Sequence, residues 1–364
     1  MTLDKTIQKV RTGERITQDE GIFLLSNAEL LDLGDLANDI RFTKNPNPWV
    51  TYVIDTNPNY TNVCTVDCIF CAFYRKPGEA GAYTYSVDEM IEQFKTAAAS
   101  GVKTILLQGG VNPELPFEYY LELVRRTINE VPEVYPHFFS TSEIIGMSEV
   151  SGRSIREVLE NLWKAGLRSI PGGGAEILSD RVKKKISNKK GSSADWLEVM
   201  RIAHTIGFKS TATMMYGHLE TDEDIVIHLD AIRALQDETG GFTAFIPWSF
   251  KPGNTPLEKI IPSYATSTRY LQIVAFSRIF LDNIPHIQAS WFSEGKKTGQ
   301  IALHFGADDF GGTLLEENVH AAANFVNKTN VEECKQLIFE AGFIPAERST
   351  LYEVLHVESR ADVA

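Results

Sequence analysis

The chain has 364 residues, 43% of them hydrophobic and 23% charged, and carries a formal net charge of −13. This length holds one large α/β barrel or two ordinary domains, and the composition can fill a core while staying soluble. The acidic balance argues against a nucleic-acid partner, because phosphate binding needs a positive surface, but leaves room for a small anion held by a few local cations.

The amino-terminal stretch MTLDKTIQKVRTGER is charged and lacks the apolar core of a signal peptide, and no apolar run approaches the ~20 residues of a membrane span. A cytoplasmic protein is the expectation. Residues 1–45 read as a helical extension: Thr17 and Glu20 form a capping box, and GIFLLSNAELLDLGDLANDI carries apolar residues at helical spacing. After the turn KNPNP the pattern becomes strand–helix alternation. Buried strands are predicted at 49–55, 102–108, 135–141, 168–171, 209–217, 242–248 and 286–291, with an eighth near IALHFGADD at 301–309. Helical patterns lie between them, the first opening on a capping box of Ser86 and Glu89. Strands begin roughly thirty to forty residues apart, the length of a βα unit. Such alternation implies a parallel sheet, and this many units favour closure. Residues 46–364 are therefore expected to form a (β/α)8 TIM-type barrel with C-terminal helices. The basic run RVKKKISNKK at 181–190 is expected to be a solvated loop or helix end.

Three of the four cysteines fall in NYTNVCTVDCIFCAFYRK at the spacing C-x3-C-x2-C: Cys64, Cys68 and Cys71. Four cysteines in a chain this long do not make a disulfide framework, and Cys334, in VEECKQLIFEAG, reads as a small core residue. The 64–71 loop follows the first predicted strand, so it opens on the carboxyl face where barrel active sites assemble. A structural zinc site commonly pairs two C-x2-C knuckles, and here no second knuckle exists. A four-iron, four-sulfur cluster usually takes four cysteines, so three leave one iron open. S-adenosylmethionine could chelate that iron, and an electron could then split its sulfonium into methionine and a 5′-deoxyadenosyl radical. A zinc loop remains an alternative reading of the same three residues.

Other strand ends offer ligand-approach points. LLQGG, with Gln108, Gly109 and Gly110, follows the second strand, and glycines there let a ligand reach the backbone. STSEI offers Ser142 and Glu143 after the third, and SIPGGGAEIL offers Glu176 after the fourth. A carboxylate at a barrel mouth can accept hydrogen bonds from ribose hydroxyls and balance a sulfonium. Tyr216 and His218 leave the fifth strand, where a histidine could act as a proton acceptor or simply pack. IPWSFKPGNTPL and SWFSEGKKTGQIALHFGADDFGG supply Trp248, Lys251, Lys296, Lys297, Asp308 and Asp309, a mixture suited to an aromatic, anionic substrate.

C-x3-C-x2-C with the aromatic Phe70 before its third cysteine resembles the motif of the radical S-adenosylmethionine superfamily. The phrases CAFYRKPGEAGAYT, LLQGGVNPELPFEYY, SIPGGGAEIL, TATMMYGHLET, QDETGGFTAFIPWSFKPGNTPL and GADDFGGTLLEENV extend the match to roughly residues 15–355. Together they resemble the cyclic dehypoxanthine futalosine synthase family of the menaquinone-forming futalosine route. One departure is STSEI, where that family more often places a proline before the glutamate.

The resemblance implies a 4Fe-4S cluster on Cys64, Cys68 and Cys71. It implies S-adenosylmethionine held near Phe70, Gln108, Gly109, Gly110, Ser142, Glu143 and Glu176. His218 and Tyr216 are the candidate bases, while Trp248, Lys296 and Lys297 would face the substrate. The implied reaction removes hydrogen from C4′ of the substrate ribose, lets the carbon radical attack the tethered benzoate ring, and ends with loss of one electron and one proton. It also implies a low-potential electron donor such as flavodoxin or ferredoxin. Sister radical enzymes, namely aminofutalosine synthase or a deazaflavin-cofactor synthase component, share PGGGAEIL and the cysteine loop. A non-catalytic zinc or iron–sulfur protein is the alternative of another class.

Overall fold

The computed structural model describes residues 2–359. Three helices come first, Leu3–Arg11, Gln18–Asn27 and Leu30–Lys44. The second starts at the expected box: Thr17 accepts from the Glu20 amide while Glu20 accepts from the Thr17 amide, so two donors that a helix start leaves open are satisfied. The strands are β1 Trp49–Val53, β2 Asp55–Thr56, β3 Thr104–Leu107, β4 Tyr135–Phe138, β5 Ser169–Ile170, β6 Lys209–Tyr216, β7 Phe242–Ser249, β8 His286–Ile287, β9 Asp309–Gly312, β10 Ile344–Arg348 and β11 Val354–Val357.

Strands β2 to β8 pair in parallel in chain order. Ile54 alone separates β1 from β2, β9 pairs in parallel with β1, and Gln288 just beyond β8 bridges to Asp309. The ring therefore closes into a (β/α)8 TIM-type barrel. Helices such as Val87–Ala99, Phe117–Glu130, Ser193–Ile206, Asp222–Thr239 and Ser267–Phe280 cover its outside. Both strand faces are thus enclosed, which is why the strands read as apolar runs: Ile105, Phe138, Ile170, Ala212, Phe245 and Ile287 are fully buried. Among the described residues no helix is long and apolar enough to cross a membrane.

The eighth strand lies later than expected. Lys296–Ala302 is helical, and the strand is Asp309–Gly312. Its two glycines carry no strand propensity, so local sequence could not mark it. They are required by close approach: a Cβ on Gly311 would stand 2.8 Å from the Gln288 amide nitrogen, and one on Gly312 would stand 2.1 Å from both Asp55 carboxylate oxygens.

The chain closes with a helix, Val331–Glu340, and a hairpin in which β10 runs parallel to β1 and β11 antiparallel to β10. The residues after β10 reach the amino-terminal end of the barrel, where the Thr350 and Thr104 hydroxyls are 2.7 Å apart. Arg348 pairs there with Asp309, which also accepts from the Thr51 hydroxyl at 2.7 Å.

Candidate active site

A cavity of about 320 Å³ fills the barrel, running from Phe70 and Cys71 at the mouth to Arg348, Thr350 and Tyr352 at the floor. The cysteine loop is laced to three other segments. Its Thr65 amide donates to the Val111 carbonyl at 3.1 Å, and the Val111 amide donates to Cys64 Sγ at 3.3 Å. Its Ile69 amide donates to the Ile186 carbonyl at 3.0 Å, and Leu257 donates back to the Ile69 carbonyl at 2.9 Å. Gly110 lies so close to the loop that a Cβ would stand 2.1 Å from the Val63 carbonyl oxygen. This is the backbone approach that LLQGG suggested, although the close partner is the cysteine loop itself.

All three loop cysteines are free thiols; Cys68 is buried, and Cys64 and Cys71 are half-buried. Burial pushes Cys68 up to about 12 against the pull of Lys190, and burial likewise raises Cys71. Coordination to a metal would reverse that balance by deprotonating the thiols. Among the described residues no three His, Cys, Asp or Glu side chains gather about one ion's position. A cluster that takes one cysteine per iron does not need them to, so soft thiol donors spread along one loop fit an iron–sulfur group better than a single zinc.

Across the mouth, Gly173 and Gly174 line the cavity, Gly174 with φ +92°. Beside Gly174, the Ser142 hydroxyl is buried without a hydrogen-bond partner. Ser142 itself, expected at the cofactor, does not line the cavity. Glu176 also lines the cavity and adopts φ +46°, a left-handed conformation that side-chain-bearing residues keep mainly at functional sites. Burial pushes its carboxyl up, but Lys190 and Lys183 outweigh burial and hold it below the usual range.

Lys190 corrects the expectation for the basic run. Residues Asp180–Ile186 are helical, Lys183 is buried and donates to the Gly174 carbonyl at 2.8 Å, and Lys190 reaches the cavity wall. There it pairs with Glu176 and lies 5.2 Å from the Phe70 ring centroid. Burial pulls its ammonium down, yet the Glu176 carboxylate outweighs burial and keeps it charged. The run is an enclosing strap because its backbone docks on the cysteine loop and Lys189 pairs with Asp67 at 2.7 Å. Its charge was visible in the sequence, but its buried partners were not.

Several expected site residues stand elsewhere. Glu143 does not line the cavity. It is the capping-box acid of the helix Thr141–Ser151, and it accepts from the Tyr60 hydroxyl at 2.7 Å and the Gly109 amide at 3.0 Å. Tyr216 is fully buried outside the cavity, stacked on Tyr270 with centroids 6.5 Å apart; successive residues of β6 point to opposite faces, and it is Thr211 and Thr213 that look inward. His218 is buried with both nitrogens in use: Nδ1 accepts from the Leu219 amide at 2.7 Å and Nε2 donates to the Met215 carbonyl at 2.9 Å. A ring so held has no free lone pair, so neither residue is placed as a base. Lys296 and Lys297 pair with Glu333 at 2.6 Å and Glu340 at 3.5 Å on the helix Val331–Glu340, away from the cavity. Lys251 is buried 2.6 Å from the Ser249 hydroxyl, and Asp308 is taken by Arg278 and His286.

Phe70, Cys71, Gln108, Gly109, Glu176 and Trp248 do line the cavity. Trp248 belongs to an aromatic wall, its ring 5.6 Å from that of His320, which stacks on Phe292 at 5.4 Å. Asp55, His320 and Arg348 also line the cavity and were missed; none sits in a motif that would announce it.

A closed barrel with three unpaired thiols on its first loop and exposed glycine backbone across the mouth defines an enzyme scaffold built to present an iron–sulfur group to a ligand. Comparison with known proteins agrees. The profile of the radical SAM superfamily matches residues 58–232, and that of the CofH/MqnC C-terminal region matches residues 239–361. A cyclic dehypoxanthine futalosine synthase from Halalkalibacterium halodurans is 41% identical over 98% of this chain and 95% of its own length. An aminodeoxyfutalosine synthase from Thermus thermophilus is 39% identical over 98% of this chain and 96% of its own. The crystal structure of methylornithine synthase superposes with a TM-score of 0.72 at 18% identity, covering 94% of this chain and 97% of that one, a likeness of fold.

The chain belongs to the radical S-adenosylmethionine superfamily and, within it, to the family of cyclic dehypoxanthine futalosine synthase and its sister enzymes. It is a radical enzyme whose cofactors are a 4Fe-4S cluster and S-adenosylmethionine.

Proposed function

We propose that this enzyme cyclises dehypoxanthine futalosine to cyclic dehypoxanthine futalosine in menaquinone formation. The observation that carries the reading is the continuous cavity from Cys71 to the aromatic wall of Trp248, Phe292 and His320. One tethered molecule can lie along it with its ribose toward the thiols and its benzoate ring deeper. The phrases FYRKPGEAGAYT and IPWSFKPGNTPL, together with the 41% identity to a named cyclase, support this choice over a sister reaction.

In this reading Cys64, Cys68 and Cys71 hold three irons, and Gly173, Gly174 and Glu176 hold S-adenosylmethionine. Glu143 serves by fixing the Gly109 amide. When bound, these cofactors supply a 5′-deoxyadenosyl radical, with the electron drawn from a low-potential donor of flavodoxin or ferredoxin type. The polypeptide positions ribose C4′ against that radical and the ring against C4′. It also keeps water from quenching the intermediates. Nothing here requires a protein nucleophile.

The test is anaerobic incubation of the reconstituted enzyme with dehypoxanthine futalosine, S-adenosylmethionine and reductant, followed by mass analysis. A product two hydrogens lighter than the substrate is expected. Formation of 5′-deoxyadenosine without that product would favour a sister reaction.

A further inference from the structure

Loss of the ring proton needs an acceptor, and with His218 and Tyr216 outside the cavity it must come from another wall. We infer that Asp55 is the base that takes this proton, an inference that rests on the cyclase reading above. Asp55 opens β2 and is 7% exposed, lining the cavity. Its Oδ1 accepts the Leu314 amide at 2.8 Å, and among the described residues the carboxylate makes no side-chain hydrogen bond and no ion pair, only its own backbone amide adding to the Leu314 contact. Gly312 stands directly against it, where any side chain would displace both oxygens. Bare glycine on β9 thus leaves room for a carboxylate in the lumen.

The other titratable groups on the cavity wall are committed or too weakly basic. Glu176 pairs with Lys190, and Glu317 accepts amides at both oxygens, from Val319 at 3.1 Å and His320 at 2.8 Å. His137 bonds the Ser169 hydroxyl at 2.7 Å, and burial lowers both His137 and His320 to about 3. Burial pushes Asp55 the other way, up to about 6; the Leu314 amide and Arg348 pull it down, and Asp309 pushes it up. Tyr352 and Cys334 face the same group. Asp55 is therefore ionised at neutral pH yet a stronger proton acceptor than an ordinary carboxylate, as a general base should be.

The step balances simply. Attack by the C4′ radical forms a carbon–carbon bond at a ring carbon that still bears hydrogen. That C–H bond breaks, its proton passes to Asp55, and the radical anion left behind gives one electron to an acceptor of the iron–sulfur class. The ring regains aromaticity, and Asp55 releases its proton to solvent when the product leaves.

Asp55→Asn keeps the size and the acceptor for Leu314, so it isolates proton transfer. With substrate deuterated at C4′, the variant should still pass deuterium to 5′-deoxyadenosine while cyclic product falls about 100-fold. Near-normal cyclic product from Asp55→Asn would overturn the assignment. Failure of the wild-type enzyme to take deuterium from this substrate would instead overturn the cyclase reading and the assignment with it. Should the variant melt early, the wild type supplies the test: the ratio of cyclic product to 5′-deoxyadenosine should drop as pH falls through about 6, and a flat ratio would refute the proposal.

Discussion

Replacing Glu143 by Gln separates a brace from a ligand. The Glu143 Oε1 accepts from the Tyr60 hydroxyl and the Gly109 amide, and Oε2 accepts from the Ser140 amide at 2.7 Å and the Ser140 hydroxyl at 2.6 Å. Glutamine offers one oxygen and one NH2. The two hydroxyls can turn and accept, but the two backbone amides cannot. Either orientation of the glutamine amide leaves a buried N–H facing another donor, at a cost of about 1–3 kcal/mol. Protonated glutamic acid has no such conflict, because its O–H oxygen still accepts.

The pH dependence follows from burial, which pushes Glu143 up to about 7, against the opposing hydrogen bonds from Ser140, Tyr60 and Gly109. The folded value lies above the usual 4.5, so the native state binds the proton more tightly. Stability from this site is full below about pH 4.5, declines as pH rises to about 7, and differs by roughly 3 kcal/mol between the two limits. Urea unfolding of cluster-free protein should find Glu143→Gln less stable near pH 5, with the deficit shrinking toward pH 8. Unchanged unfolding with lost S-adenosylmethionine affinity would refute the bracing account and return Glu143 to the ligand shell.

Gly110→Ala should depress iron content while the circular dichroism stays barrel-like, because its Cβ would meet backbone at 2.1 Å, an overpacking of about 1–3 kcal/mol borne by the cysteine loop. Normal iron loading would contradict it. Cys64→Ala, Cys68→Ala and Cys71→Ala should each abolish iron binding and turnover in a folded barrel, whereas Cys334→Ala, truncating a fully buried side chain, should keep its iron; full activity in any of the first three, or iron loss in the fourth, would count against the ligand set. Lys190→Met strands Glu176 without its partner and should destabilise by about 3–5 kcal/mol, most of it restored by adding Glu176→Gln. Equal unfolding midpoints for the single variant and wild type would dismiss the pair.

What was legible beforehand depended on local signals. The capping boxes at Thr17 and Ser86 involve residues three apart, and both form. Ser140 and Glu143 have the same spacing, so the bracing role of Glu143 could have been read as a third box; attention to the strand end obscured it. Strand β6 revealed its existence through apolar residues, but not which of its faces met the cavity. Two glycines hid β9 because the force that selects them comes from Gln288, just past β8, and Asp55 of β2, residues distant along the chain.

Sequence alone thus determined the βα rhythm and the thiol loop, since helix periodicity, caps and a three-cysteine spacing are properties of neighbours along the chain. Tertiary structure decided which charges enter the cavity. Lys190 meets Glu176 across 14 residues and Leu314 meets Asp55 across 259, and no local pattern encodes such encounters. Burial and these partners then set what each group can do: Glu176 keeps Lys190 charged against burial, and burial gives Asp55 a tighter hold on its proton.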